Sequence, residues 1–68
     1  MRFKIAVKFK KEVKDIQGET IVKFVNIPEI KQIYTGRYYE IEAENAQSVK
    51  KIAQELLTNP ITEEFEFL

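Results

Sequence analysis

The chain has 68 residues and no net charge, because 11 Lys and Arg side chains balance 11 Asp and Glu side chains. It contains no His and no Cys, which excludes disulfides, His/Cys metal sites and a serine activated by histidine. So short a chain forms a single domain, residues 1–68, that buries only about 60% of its unfolded surface, and we expect self-association to supply further burial.

The amino-terminal part predicts a strand followed by a short helix. Apolar residues alternate with mostly basic ones over residues 2–10, which is typical of a strand with one buried and one solvated face. Asp15 is a good N-cap for the helix that follows, although Gly18 in its first turn costs about 1 kcal/mol relative to Ala. Pro28 ends this helix, because the residue before a proline avoids helical geometry.

The middle of the chain predicts a hairpin. Residues 30–35 form a second strand, which turns at Gly36–Arg37 into a third strand over residues 38–44. We expect Gly36 to supply the positive φ of the turn. Two registers are open, and we favour a bulged turn that pairs Ile33 with Ile41, since the two-residue alternative would bury a glutamine.

The carboxyl-terminal part predicts a second helix and a last strand. Asn45 is the N-cap, and the helix carries one apolar stripe made of Ala46, Val49, Ile52, Ala53, Leu56 and Leu57. We expect Asn59 to take the left-handed conformation at the helix end, where Pro60 prevents continuation. Phenylalanines then alternate with glutamates over residues 63–67, as in a strand.

The order of these elements predicts an α+β fold of the ferredoxin-like βαββαβ type, with a four-stranded antiparallel or mixed sheet and two helices on one face. Right-handed crossovers place the first strand in the middle, between the third and the fourth. The charges agree, because the outer face of the first strand is basic and those of its neighbours are acidic. Opposite-charge pairs across strands contribute about 0.2–1 kcal/mol each.

Catalysis, nucleic-acid binding and membrane insertion are all disfavoured. The glutamates of the third strand lie beside lysines, so an ion-pair ladder explains them better than paired catalytic carboxylates. Ser48 has no histidine to activate it. Tyrosines near Arg37 could stack on RNA bases, but the glutamates of the same sheet would repel phosphate. No apolar run approaches a membrane span or resembles a signal peptide, so we expect a cytoplasmic location.

Three short motifs occur in a definite order along the chain. They are Asp15-Ile16-Gln17-Gly18, Gly36-Arg37-Tyr38 with Glu40, and Leu56-Leu57-Thr58-Asn59-Pro60 followed by acidic residues. Each alone is explained by turn and cap chemistry, but together they resemble the PurS family, the small subunit of phosphoribosylformylglycinamidine (FGAM) synthase of purine biosynthesis. The similarity covers essentially the whole chain. Ile16 replaces the family's proline at the first helical position, and the cap at Asp15 is kept.

The resemblance implies a non-catalytic assembly subunit of an ATP-dependent amidotransferase. In this family, the PurS subunits form homodimers or higher homo-oligomers that join a glutaminase (PurQ-like) to a synthetase (PurL-like) and help ammonia pass between them. ATP and magnesium belong to the large subunit, and this chain is expected to bind no cofactor. We expect partner contacts from the loops, at Asp15, Gln17, Gly18, Gly36, Arg37, Asn59 and Pro60. The alternative from another class is a ferredoxin-like regulatory domain that senses a small molecule.

Overall fold

Three strands and two helices make up the fold. The computed structural model describes residues 1–68, with β1 at Arg2–Phe9, α1 at Ile16–Val25, β2 at Gly36–Glu42, α2 at Ala46–Ile52 and β3 at Glu63–Phe67. α2 continues into a π-helical turn, Ala53–Leu57. The α+β class is confirmed, and every element except the second predicted strand is found close to its predicted place.

The sheet is antiparallel, and β1 lies at its centre between β2 and β3. The prediction of a central first strand is therefore confirmed. On the outer face, the register places Lys4 opposite Glu40 and Lys8 opposite Glu64, and Lys8 Nζ lies 3.8 Å from a carboxylate oxygen of Glu66. These pairs are exposed, so each stabilises the sheet only slightly. Together they form the predicted basic strand between two acidic ones.

The predicted strand over residues 30–35 is absent, so the sheet has three strands rather than four, and no hairpin forms in either register. The reason is a non-local contact. The Asp15 carboxylate accepts hydrogen bonds from the backbone N of Thr35 at 2.6 Å and from its hydroxyl at 2.8 Å. The carbonyl oxygen of Ile33 also lies against Gly18. The segment is therefore held beside the start of α1 rather than alongside β2.

Gly36 is required for close approach of two strands and not for a turn. Neither glycine has a positive φ, so the predicted role of Gly36 in a hairpin turn is wrong. A Cβ at this position would lie 2.4 Å from the carbonyl oxygen of Val7 on β1. Any side chain here would push β2 away from the central strand. β2 begins at this glycine and ends at Glu42, two residues before the predicted end of the strand.

The apolar core is small and lies between β1 and the helical segment formed by α2 and its π-helical turn. Ile5, Val49 and Ala53 form its buried centre, packed by the half-buried side chains of Phe3, Tyr39, Ile41, Ala43, Leu57 and Phe65. No residue of α1 takes part in this cluster. We expected both helices to pack on one face of the sheet, but only α2 and its π-helical turn contribute to the core. The predicted stripe of α2 is only partly buried, since Leu56 is 76% exposed.

The chain is extended and thin. Its Cα atoms span 45 × 24 × 13 Å with a radius of gyration of 14.5 Å, whereas a globular chain of this length has a radius of gyration of about 11 Å. The solvent-accessible surface is 5650 Å², compared with about 4,450 Å² for a globular monomer of this mass. Neither helix has the length and apolar character needed to cross a membrane.

Candidate partner-binding site

The predicted site residues all lie at one end of the sheet, which we call the convergent end. The register brings Gly36 opposite Lys8, and Glu63 opposite Phe9, so β2 and β3 both begin where β1 finishes. The first turn of α1 is tied to the start of β2 through the Asp15–Thr35 hydrogen bonds. The residues that meet at the convergent end are Asp15, Gln17, Gly18, Gly36, Arg37, Asn59 and Pro60. The sequence indicated these positions but not that they come together.

Asp15 and Gly18 form the first contact group of the convergent end. The Asp15 carboxylate caps α1 by accepting from the Gly18 backbone N at 2.9 Å, and it also accepts both hydrogen bonds from Thr35. The hydrogen bond from the Thr35 backbone N, followed by that from Gly18, lowers the pKa of the Asp15 carboxyl below its ordinary value. A Cβ at Gly18 would lie 1.9 Å from the Ile33 carbonyl oxygen. Both residues therefore hold residues 33–35 against α1.

Arg37 and Glu63 form the second contact group. Arg37 Nη2 donates to Glu63 Oε1 at 2.9 Å and to the backbone oxygen of Leu57 at 2.9 Å. The backbone N of Asn59 donates to the same Glu63 oxygen, also at 2.9 Å. The Glu63 side chain is only 13% exposed. This group joins β2, β3 and the end of the α2 segment, so two of the three sequence motifs are in direct contact.

The turn that leads into β3, residues 59–62, is held by several hydrogen bonds, and we call it the braced turn. The Asn59 side-chain oxygen accepts from the Ile61 backbone N at 3.0 Å, and its backbone oxygen accepts from Glu63 N at 2.7 Å. Lys10 Nζ donates to the Pro60 backbone oxygen at 2.7 Å. The turn is therefore fixed by a hydrogen bond of its own and by hydrogen bonds from Lys10 and Glu63. It nevertheless presents Ile61 to solvent, with 80% of the residue exposed.

The predicted left-handed cap at Asn59 is wrong. The helical segment ends at Thr58 in extended geometry, with φ −125° and ψ 133°. The one non-glycine residue with a positive φ is Asn26, which ends α1 at φ 50°. Asn59 uses its side chain for a turn instead, because residue Ile61 offers a free backbone N–H close by.

Sequence reasoning missed the exposed apolar side chains. Leu56 precedes the braced turn and Ile61 lies in it, while Ile16 and Phe24 are exposed on α1. Helical periodicity places Leu56 in the buried stripe, and no local signal marks the others as unpaired. Gln17 is also exposed. The convergent end thus combines a hydrogen-bonded frame with exposed apolar side chains at Ile16, Leu56 and Ile61.

Comparison with known proteins gives consistent matches over nearly the whole chain. The PurS family model, described as phosphoribosylformylglycinamidine (FGAM) synthase, matches residues 2–68. Subunit PurS of this synthase from Thermotoga maritima is 37% identical over an alignment of 75 positions, which includes 96% of this chain and 90% of the relative. A chain in the PurLQS structure from Thermotoga maritima superposes with a TM-score of 0.76 at 35% identity, covering 100% of this chain and 96% of that one. The B. subtilis PurS structure shares the fold, with a TM-score of 0.85 at 24% identity and coverage of 98% and 94%.

Proposed function

The chain belongs to the PurS family, and we propose that it is the non-catalytic assembly subunit of FGAM synthase in purine biosynthesis. Its partners are a PurL-like synthetase and a PurQ-like glutaminase, as the PurLQS structure from Thermotoga maritima indicates. We place ATP and magnesium in the large subunit and assign no cofactor to this chain. Its role is to bridge the two partners and to aid ammonia transfer, and its location is cytoplasmic.

The observation that supports an assembly role is the amount of uncovered surface. The accessible surface of 5650 Å² is about 1,200 Å² more than a globular monomer of this mass presents. A standard protein–protein interface covers about 800 Å² on each partner. The excess therefore corresponds to more than one standard contact, which is what a bridging subunit needs.

We also propose a homodimer or higher homo-oligomer in which the four-stranded sheet is completed. The outer edge of β2 has no neighbouring strand, and unpaired strand edges favour pairing with another chain. Residues 31–35 belong to no ladder within the chain. Pairing of such a segment along the β2 edge would supply the predicted fourth strand and would cover further apolar surface.

Within the convergent end, we assign two different roles to the predicted site residues. The first role is to hold the loops and the start of β2 in place through the contacts described above. The residues that do so are Asp15, Gly18, Gly36, Arg37 and Asn59. Gln17 and Pro60, with the apolar side chains in and beside the braced turn, contact a partner subunit. A rigid turn that presents an exposed apolar side chain loses little conformational freedom on binding, which favours affinity.

The experiment is reconstitution of the synthase with the Ile61→Asn variant. We expect loss of co-purification with the partner subunits and a decrease of about tenfold or more in glutamine-dependent FGAM synthesis, because truncation of a central apolar contact costs about 2 kcal/mol or more. Ammonia-dependent synthesis by the large subunit should change much less, since it needs no transfer between active sites.

Leu68→Asn is the matched control, because Leu68 is 68% exposed and lies at the opposite end of the sheet, next to Lys4. If Ile61→Asn retains normal co-purification and glutamine-dependent activity, the convergent end is not the partner surface. If the unaltered chain recruits neither partner, the assembly function itself is wrong.

A further inference from the structure

β3 forms one edge of the sheet, because the strands lie in the order β2–β1–β3. In an antiparallel ladder, successive residues direct their backbone N–H and C=O groups alternately toward the neighbouring strand and away from it. The N–H of Leu68 donates to the backbone oxygen of Lys4 on β1, so every second residue before Leu68 also faces β1. The backbone groups of Phe65 and Phe67 therefore point to the outer edge of β3, where the sheet has no further strand.

The two faces of β3 differ in character along this edge. Phe65 and Phe67 lie on the face of the core, with their ring centroids 6.2 Å apart, and Phe67 remains 43% exposed. Glu64 and Glu66 lie on the opposite face, where Glu64 makes no ion pair and Glu66 contacts only Lys8, at 3.8 Å. A strand added here would place apolar side chains beside the phenylalanines and its other side chains beside the glutamates. Because opposite charges on neighbouring strands stabilise a sheet, the edge favours a strand whose solvated face is basic.

A second copy of this chain does not supply such a strand. Pairing of two β3 strands with their apolar faces aligned would set Glu64 and Glu66 beside the same glutamates of the other copy, and β2 also carries glutamates on this face of the sheet. Like charges on adjacent strands destabilise a sheet. β1 is basic, but it is already paired on both sides, and residues 30–35 carry only one basic side chain, at Lys31. The strand that fits therefore belongs to another protein.

We propose that the outer edge of β3 receives an extended segment of a partner subunit in which Lys or Arg alternates with apolar residues. The backbone groups of Phe65 and Phe67 hydrogen-bond to this segment, its basic side chains pair with Glu64 and Glu66, and its apolar side chains cover Phe67. Main-chain hydrogen bonds supply the affinity of such an added strand, and the alternate side chains supply its specificity. The inference rests on the proposed function and names a second contact, which begins at the convergent end because β3 begins there. Leu68 follows β3 and already bonds to β1, so it takes no part.

The test is backbone N-methylation of Phe65 in a chain made by chemical synthesis, which a length of 68 residues permits. The methyl group removes one outward N–H and blocks the edge, but it leaves the side chain and the ladder to β1 unchanged. Titration with the PurL-like and PurQ-like subunits, each separately, should show binding to one of them weakened by about tenfold or more, because a hydrogen bond is lost and the approach of a strand is blocked. N-methylation of Ala46 is the matched control and should leave both affinities unchanged, since the first position of a helix needs no N–H.

Charge variants test what kind of strand binds. The double variant Glu64→Gln and Glu66→Gln should weaken the same binding by about fivefold or more and reduce its dependence on salt, because it removes the charges that attract a basic segment. The double variant Glu12→Gln and Glu44→Gln is the control and should bind normally. All four glutamates are exposed, so both variants should remain folded, which thermal unfolding checks.

The outcomes separate this contact from the assembly function. If the N-methylated Phe65 chain binds both subunits as tightly as the unaltered chain, or if sedimentation shows that it loses self-association instead, the edge does not hold a partner strand, and the assembly function stands. Equal binding by the two double variants would contradict a basic segment. If the unaltered chain binds neither subunit, the proposed function is wrong, and this contact with it.

Discussion

Gly18 lies in the first turn of α1, where alanine would ordinarily stabilise a helix by about 1 kcal/mol relative to glycine. The structure reverses this expectation, because a Cβ at Gly18 would approach the Ile33 carbonyl oxygen to 1.9 Å. The neighbouring atom belongs to the backbone, so it cannot rotate away. Because Gly18 has no side chain, residues 33–35 can lie against α1.

We therefore predict that Gly18→Ala destabilises the protein by about 2 kcal/mol, the usual cost of overpacking. Gln17→Ala, one residue earlier on the exposed side of the same turn, should change the free energy of unfolding by no more than about 0.5 kcal/mol. Urea unfolding of both variants measures the difference. A Gly18→Ala midpoint equal to or above that of the unaltered protein would show that Ile33 does not pack there.

Asp15 makes stability depend on pH in a definite direction. Hydrogen bonds from Thr35 and Gly18 lower the pKa of this carboxyl in the folded state, so the folded chain holds a proton at Asp15 less readily than the unfolded chain does. The stabilisation is then fully present above the ordinary Asp pKa of about 4 and is lost as the pH falls through the lowered folded pKa.

We predict that Asp15→Asn is less stable than the unaltered protein at about pH 6 and that this difference disappears toward about pH 2. Urea unfolding at a series of pH values measures it. Glu12→Gln is the control, because Glu12 is an exposed carboxylate in the same loop. A difference for Asp15→Asn that stayed constant with pH would mean that the charge of Asp15 does not stabilise the fold.

Arg37 joins β2 to β3 and to the end of the helical segment after α2. Its guanidinium contacts the Leu57 backbone oxygen and the Glu63 carboxylate, while Asn59 donates to the same carboxylate. Because Glu63 is largely buried and Arg37 is half-exposed, this pair should contribute more than a fully exposed pair and less than a buried one.

We predict that Arg37→Ala costs about 1 kcal/mol and that Arg37→Ala and Glu63→Gln are not additive, with a coupling energy of about 0.5–1 kcal/mol. A double-mutant cycle by urea unfolding measures the coupling. Arg2→Ala, which breaks the exposed pair with Glu42 at 3.3 Å, should cost less than about 0.5 kcal/mol. Additive effects at Arg37 and Glu63 would show that the elements are not joined through this pair.

The dimensions of the chain indicate that it is not a self-sufficient globule. Only 6 of its 68 residues are buried, so the core stabilises the monomer weakly and α1 contributes nothing to the apolar cluster. Association is the means by which such a chain can cover its remaining apolar surface. Stability and oligomeric state should therefore change together.

We predict that the thermal unfolding midpoint rises with protein concentration. For a dimer that unfolds to monomers, each tenfold dilution should lower the apparent free energy of unfolding by about 1.4 kcal/mol. Calorimetry over about a hundredfold range of concentration, with analytical ultracentrifugation of the same samples, measures both quantities. A midpoint that does not change with concentration, together with a monomeric mass, would contradict the proposed homo-oligomer.

The amino-acid sequence by itself determined the local features. Alternation in β1 and β3, the caps at Asp15 and Asn45, and the ladder of opposite charges depend on residues close in sequence or on strand order. They led to the α+β class, to a central first strand and to the positions of the candidate site. The family resemblance rested on the same local motifs.

Only the tertiary structure determined where residues 30–35 lie. It also showed that Gly18 and Gly36 are needed because other backbone segments pack closely against them. Asp15 and Thr35 are distant in sequence, and their hydrogen bonds replace the strand pairing that local propensity favours for this segment. The contact of Arg37 with Glu63 and the exposure of Ile61 are likewise set by packing among several elements. Such contacts depend on distances between parts of the chain that local pattern does not contain.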